Sequence, residues 1–259
     1  MKYLVETALL GHGLMSVDDD LIVSSWPEDA LLAWVEGGNI TIGDISEFIP
    51  SRKKSKDWER LDGLAVEKEA YVGKNAFLTA SATMAVAKKI NCNIVVTAGI
   101  GGIGDIKTEK LSYDLPALSK MGITLVATSP KDMLDIPGTF DYLHENGVNT
   151  YGYNRQDCNG YIFVLEPVKL KKRISEADLS NIPAGCNLVL NSIPEDRRLK
   201  DLSILSNGIA AGKEAENNGD YYHPAVNGYF DKSSNGLSSI IQLESLISNI
   251  NIAKNITIS

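Results

Sequence analysis

The stretch NIVVTAGIGGIGDIKTEKLSYDLPALSKMGITLVATSPKDMLDIPGTFDYLHENGVNTYGY, residues 93–153, decides the fold. It opens on an apolar run that enters a glycine-rich turn, the pattern of a buried strand stopped where the backbone bends sharply. SYDLPALSKMG (112–122) reads as a short helix closed by Gly122. ITLVATS (123–129) is the next strand. PKDMLDIPGTFDYLHENG (130–147) is expected to be a helix with Pro130 near its start, where a missing N–H is harmless. VNTYGY (148–153) is a further strand. Strand, helix, strand, helix, strand predicts a mainly parallel sheet covered on both faces.

Working outward, KYLVE (2–6) is a short strand, and ETALLGHG (6–13) reads as a turn-forming segment. DALLAWVEGGNITIG (29–43) holds an apolar run, a Gly-Gly turn and an alternating strand. SRKKSKDWER (51–60) is a solvated loop or helix face. KNAFLTASATMAVAKKI (74–90) reads as a helix whose small residues let backbones pack closely. GCNLVLNSIPED (185–196) is a strand entering a proline turn. GIAAGKEAENNGDYYHPAVNGYFDKSSNG (208–236) reads as polar and turn-rich, and LSSIIQLESLISNINIAKNI (237–256) as an amphipathic closing helix. With no repeat and no linker, the expectation is a single α/β domain over residues 1–259: a central, mostly parallel sheet flanked by helices.

Of the 259 residues, 44% are hydrophobic and 22% charged, enough apolar matter for a sizeable core. The net charge of −8 argues against nucleic acid or an anionic membrane as partner, since both are negative. A small anionic substrate stays open, because local charge decides that. Cys92, Cys158 and Cys186 are far apart and form no CxxC pair, which disfavours a disulfide framework or a zinc knuckle. The N-terminus lacks the apolar core of a signal peptide and no apolar run reaches membrane-span length, so the expected location is cytoplasmic.

In a parallel α/β sheet, ligands bind beyond the carboxyl ends of the strands. Glu6, Thr97 to Gly102 and Ser129 to Lys131 all fall at such ends, so distant stretches converge on one rim. TAGIGGIGD lacks the Lys-Ser/Thr of a phosphate loop and the downstream acid of a dinucleotide site, but its backbone N–H groups can still approach an anion or a hydroxyl. Lys131, set between an apolar strand and an apolar helix face, is expected to be partly desolvated. Desolvation lowers a lysine pKa and frees the lone pair to attack a carbonyl and form an imine. Glu6 is either a cap or ion-pair partner, or a general acid/base with a raised pKa. His12 is a turn residue or a wall of the site, and Asp114 a helix-start residue or a site residue.

ETALLGHGL, SATMAVA, TAGIGGI, LSYDLPAL, SPKDMLDIPGTFDYLHENGV, NSIPED and GIAAGKE occur in the order and spacing found in pseudouridine-5′-phosphate glycosidases, the indigoidine synthase A family. Over residues 3–214 the chain resembles a divergent member of that family. The resemblance implies reversible cleavage of a C–C glycosidic bond between a base or aglycone and a ribosyl or ribose-5-phosphate unit. Such a bond has no heteroatom leaving group to protonate, so paired-carboxylate chemistry does not suffice. Opening the sugar and joining C1′ to a lysine as an imine supplies the electron sink. By position, Lys131 matches the family's nucleophile and Glu6 its proton donor. Ser112, Tyr113 and Asp114 match its substrate-binding segment, and Thr79, Ala80 and Thr97 face the same site. A homo-oligomer, often a trimer in the family, is also implied.

The departures are specific. Where the family carries a basic Lys-Val-Ser-Arg-Arg-Asp stretch to grip substrate, this chain reads RLDGLA, with Arg60 in place of the lysine. The His-Arg-Gly after the glycine turn becomes GDI. The manganese-binding aspartate lies in Phe-Asp-Ile-Ser; here EKLS puts Lys110 at the ligand position, beside Glu109. Glu109 and Asp114 would then be the remaining candidate ligands, and Lys110 a cation that could stand in for the metal charge at the substrate. The segment around Tyr221, Tyr222 and His223 also departs. The expected substrate is therefore a C-nucleoside or sugar phosphate other than plain pseudouridine 5′-phosphate. The alternative is a binding or regulatory homologue that kept the fold and a sugar pocket without the activity.

Overall fold

The computed structural model describes residues 2–107 and 109–258. Ten strands form one sheet: β1 Leu4–Val5, β2 Leu32–Glu36, β3 Asn39–Gly43, β4 Glu59–Leu61, β5 Ala76–Leu78, β6 Ile94–Val96, β7 Thr124–Ala127, β8 Asn149–Tyr153, β9 Lys172–Ile174 and β10 Asn187–Leu190. Their spatial order is β9-β8-β10-β7-β6-β1-β2-β5-β4, with β3 pairing β2. Pairing is parallel from β9 across to β2 and between β4 and β5, and antiparallel for β2 with β3 and with β5.

The central strands are apolar on both faces, and their alternation sorts them into two cores. Val5, Val96, Val126 and Val189 belong to one cluster, with Ile241, Leu246 and Ile250. Leu4, Val95, Leu125 and Leu188 belong to the other, with Ala82, Met84 and Val86. The helices that supply these covers are α5, Ala80–Lys89, and α10, Leu237–Asn255. The others are α1 Ala8–His12, α2 Asp19–Ser25, α3 Ile45–Arg52, α4 Gly63–Glu67, α6 Asp114–Lys120, α7 Ile136–Glu145, α8 Leu202–Asn218 and α9 Tyr222–Ser233.

Several boundaries differ from the sequence reading. Residues 130–135 are not the first turns of a helix. Ser129–Pro130 instead pairs in parallel with Gly99–Ile100, and α7 starts at Ile136 behind the Asp135 cap, with Pro137 in its first turn. The expected helix over 74–90 begins with strand β5 and turns helical only after Thr79, whose hydroxyl accepts the Ala82 N–H. ETALLGHG contains the short helix α1.

The largest difference lies at 208–236, read as turn-rich but folded as the C-terminal half of α8 followed by α9. Its glycines are packing residues. A Cβ on Gly208 would lie 2.4 Å from the Phe230 ring, and one on Gly212 2.6 Å from Tyr222 and Val226. Gly219, at φ 87°, and Gly236, at φ 82°, mark the breaks that close α8 and precede α10. Gly208→Val is expected to destabilise the fold by about 1–3 kcal/mol, as overpacking does. A urea midpoint unchanged from wild type would show that the hairpin does not pack in this way.

Candidate active site

Three neighbouring strands deliver the site's central residues. Glu6 follows β1, its N–H donating to Val96 O at 3.0 Å. Thr97 follows β6, the strand between β1 and β7. Its hydroxyl donates to Glu6 Oε1 at 2.7 Å. The Asn249 amide of α10 donates to Thr97 O at 2.8 Å and Thr128 Oγ1 at 3.0 Å, holding the ends of β6 and β7 together. Lys131 follows the short Ser129–Pro130 pairing, and its N–H donates to Ile100 O at 3.1 Å.

The two ionisable groups are set by their surroundings. Burial pushes the Glu6 carboxyl up to about 7; the Thr97 hydrogen bond and the Lys131 and Arg60 charges oppose it, and Asp114 adds to it. Burial pushes the Lys131 amine down, and Arg60 pushes it further, against Glu109, Glu6 and Asp114. An acid that keeps its proton up to about pH 7 and a lysine shifted towards its neutral form thus lie within reach of each other's charge.

The remaining residues named from sequence divide into three sets. Asp114 is buried, but both oxygens are engaged: Oδ1 accepts the Ser81 N–H at 2.9 Å and Oδ2 the Gly101 N–H at 2.8 Å. It ties the start of α5 to the glycine turn, where a Cβ on Gly101 would lie 2.1 Å from Ser112 Oγ. Ser112 lines that turn, its N–H bonded to Gly102 O. Thr79 and Ala80 open α5 beside it, Thr79 Oγ1 lying 3.0 Å from Ser81 Oγ. A second set meets the central pair through charge: Arg60, exposed on β4, depresses Lys131 and His12 alike. His12 donates from Nε2 to Ser55 O at 3.0 Å and stands edge-on to Phe77. The third set points elsewhere. Tyr113 donates its hydroxyl to Glu67 at 2.7 Å, and the Lys110 side chain is exposed.

Glu109 rather than Lys110 carries its charge towards Lys131. Burial raises its carboxyl, but the His223 contact and the Lys131 and Arg60 charges outweigh that and hold it at about 2. For a hard divalent cation this donor set is a poor fit, because such ions need several free oxygen ligands. Asp114 is spent on backbone N–H groups, Glu109 on His223, and a lysine stands at position 110. Among the described residues no group of three or more His, Cys, Asp or Glu gathers.

Sequence reasoning missed Asp132. Its carboxylate accepts the N–H groups of Tyr161, Ile162 and Phe163 at 2.6, 2.7 and 3.1 Å, fixing that loop beside Lys131. Burial raises it to about 6 in spite of those bonds. It also missed Asn249, which lies in a helix read only for its apolar stripe. His223 was noted only as part of a divergent segment.

Fold and site together define an α/β protein with an acid–lysine pair at the carboxyl edge of a parallel sheet. Residues 38–259 match the model of the indigoidine synthase A like protein family, and the chain belongs to that family. It is 27% identical over 235 residues to a pseudouridine-5′-phosphate glycosidase of Staphylococcus aureus (strain MW2), spanning 83% of this chain and 76% of that one. Against the protein of the same name from Caldanaerobacter subterraneus subsp. tengcongensis, identity is 26% over 214 residues, 75% and 69% of the two chains. Two crystal structures share the fold. Prealnumycin C-glycosynthase AlnA in complex with ribulose 5-phosphate superposes with a TM-score of 0.78 at 21% identity, over 98% of this chain and 89% of its own. An indigoidine synthase A-like protein from Thermotoga maritima superposes with 0.77 at 20%, over 97% and 90%. No described helix is long and apolar enough to cross a membrane.

Glu6 gives a pH test. Below about pH 4.5 the acid is protonated in folded and unfolded chains alike. Between about 4.5 and 7 only the unfolded chain ionises, so stability falls as pH rises; above 7 the cost levels off at about 3 kcal/mol. Glu6→Gln, measured against wild type by urea unfolding, should therefore gain up to about 3 kcal/mol more at pH 8 than at pH 4. Equal differences at the two pH values would rule out a raised acid.

Proposed function

We propose that this protein makes or breaks a C–C glycosidic bond between a ribose-phosphate unit and a base or aglycone, with Lys131 as imine-forming nucleophile and Glu6 as proton carrier. The observation that carries the reading is the convergence of Glu6, held by the Thr97 hydroxyl, and Lys131 beyond the ends of three neighbouring strands, with the acid shifted up and the amine shifted down. In the cleavage direction, the Lys131 amine adds to C1′ and O4′ leaves with a proton from Glu6, opening the ring. The nitrogen lone pair then closes onto C1′ as the C1′–carbon bond breaks, and the departing carbon takes a proton. Water finally releases the sugar aldehyde and returns the amine.

Arg60, at the exposed margin of the cluster, supplies positive charge for the sugar phosphate. It stands where the family carries a lysine, in a stretch with fewer basic residues, which favours an aglycone or sugar outside plain pseudouridine 5′-phosphate. The charges of Arg60 and Glu109 carry the electrostatics without a metal, and turnover is expected to survive a chelator. Loss on chelation and recovery with manganese would reverse that.

The deciding experiment is borohydride reduction with ribose 5-phosphate, followed by peptide mapping. A single adduct on Lys131 is expected. No adduct in wild type, with sugar phosphate still bound, would make the protein a binding homologue instead. Lys131→Ala and Lys131→Arg should both lose turnover by at least about a thousandfold with the fold intact, since guanidinium stays protonated and forms no imine. Glu6→Gln should bind ribose 5-phosphate comparably yet turn over far more slowly, and the wild-type rate should fall as pH rises through about 7.

A further inference from the structure

The loop between the glycine turn and α6 is gripped along its length by the α8–α9 hairpin. Lys213 Nζ lies 2.9 Å from Asp105 Oδ2. The Lys107 N–H donates to Glu216 Oε1 and its amine to Asn217 Oδ1, each at 2.7 Å. His223 Nε2 lies 3.5 Å from Glu109 Oε2, in the innermost of these contacts. The His223 side chain is 10% exposed, and among the described residues its Nδ1 finds no hydrogen-bond partner. A buried polar atom left unpaired is uncommon and points to a requirement other than stability. The loop that carries Glu109 packs on the turn after Lys131, where the Asp135 N–H donates to Ile103 O at 2.8 Å, and both Glu109 and His223 sense the charges of Lys131 and Arg60.

We propose that His223 is a positioning residue that aims the Glu109 carboxylate at Lys131, making Glu109 the counter-charge of the cationic imine. The inference rests on the imine reading of Lys131. When the Lys131 amine adds to the C1 aldehyde of an opened sugar and water leaves, the imine nitrogen takes a proton and a fixed positive charge appears at that nitrogen. Glu6 gives up and takes back a proton during the reaction, so its charge is not a fixed one. Asp114 has both oxygens on backbone N–H groups. Glu109 is the remaining carboxylate among those whose charge reaches Lys131. A carboxylate held beside a developing cation stabilises it without reorganising. The N–H that His223 donates keeps Glu109 from swinging out to the neighbouring solvent, where its side chain is 39% exposed.

The experiment has two arms. In the first, the imidazole nitrogens of His223 are followed by NMR in the free protein, with Glu109→Gln as comparison. A shift of the Nε2 resonance on that substitution is expected; an unchanged resonance shows there is no pair and overturns the proposal, whatever Lys131 does. In the second, the rate of borohydride trapping of ribose 5-phosphate is measured for wild type, Glu109→Gln, His223→Ala and His223→Gln. Trapping should slow tenfold or more in Glu109→Gln and His223→Ala, with half-saturation changed less than threefold. His223→Gln, which keeps an N–H donor, should recover most of the rate. Wild-type trapping with His223→Ala at the same rate overturns the positioning role, as does slow trapping that His223→Gln fails to restore. Glu109→Gln at the wild-type rate overturns the counter-charge. If wild type itself forms no adduct, the imine reading falls and this role falls with it, even where the NMR arm shows the pair.

Discussion

Desolvation of Glu6 and Lys131 within reach of each other's charge is the constraint on which the rest of the site depends. Each group loses hydration at the strand ends, and each responds by favouring its uncharged form. The surrounding charges would partly undo this: Glu6, Glu109 and Asp114 pull the lysine back towards its charged form, while Arg60 pushes the other way. The outcome depends on distance and enclosure, so the strand ends must be held rigidly. Thr97 and Asn249 do so from the sheet side, one bonding the acid and the other bonding the backbone that carries Thr97.

Two further carboxylates act through the backbone. Asp114 accepts N–H groups from α5 and from the glycine turn, and Asp132 accepts three from the loop at 161–163. Both lie next to chemically important positions, yet neither has a lone oxygen aimed at a ligand in this arrangement. Charge-assisted bonds to backbone N–H groups are among the stronger polar contacts in a fold, and they suit a site that must not shift. A carboxylate at a conspicuous motif position can thus be the mount on which the chemistry sits.

The sheet was legible because its strands are continuous apolar runs between glycine-rich turns, a pattern with one simple reading. The acid–lysine pair was legible because both residues directly follow such runs. What escaped is what depends on distant partners. Gly208 and Gly212 look like turn residues until Phe230, Tyr222 and Val226 are packed against them. The Ser129–Pro130 segment looks like the approach to a helix until it pairs with Gly99–Ile100. Asp132 is one residue from the predicted nucleophile, but its role appears only when residues 161–163 fold back to it. In the sequence, Lys110 is the candidate to stand in for a metal charge. The backbone turns Lys110 outward and leaves Glu109 to face the lysine, a one-residue difference that no linear reading resolves.

That difference changes the sign of the charge at the point where the site departs from its family's pattern. A metal held by an aspartate presents net positive charge to a substrate oxygen. Glu109, with His223 Nε2 3.5 Å away, adds a carboxylate whose charge reaches the lysine, and positive charge comes from Arg60. The two arrangements favour different things: a cation near a phosphate or hydroxyl steadies bound substrate, whereas an anion near an iminium steadies an intermediate. The hairpin of α8 and α9 fits the second. It contributes no strand to the sheet, yet it bonds the 105–109 loop at successive points and ends at His223. The segment around His223, which departs from the family in sequence, is thus one that contacts the loop carrying Glu109.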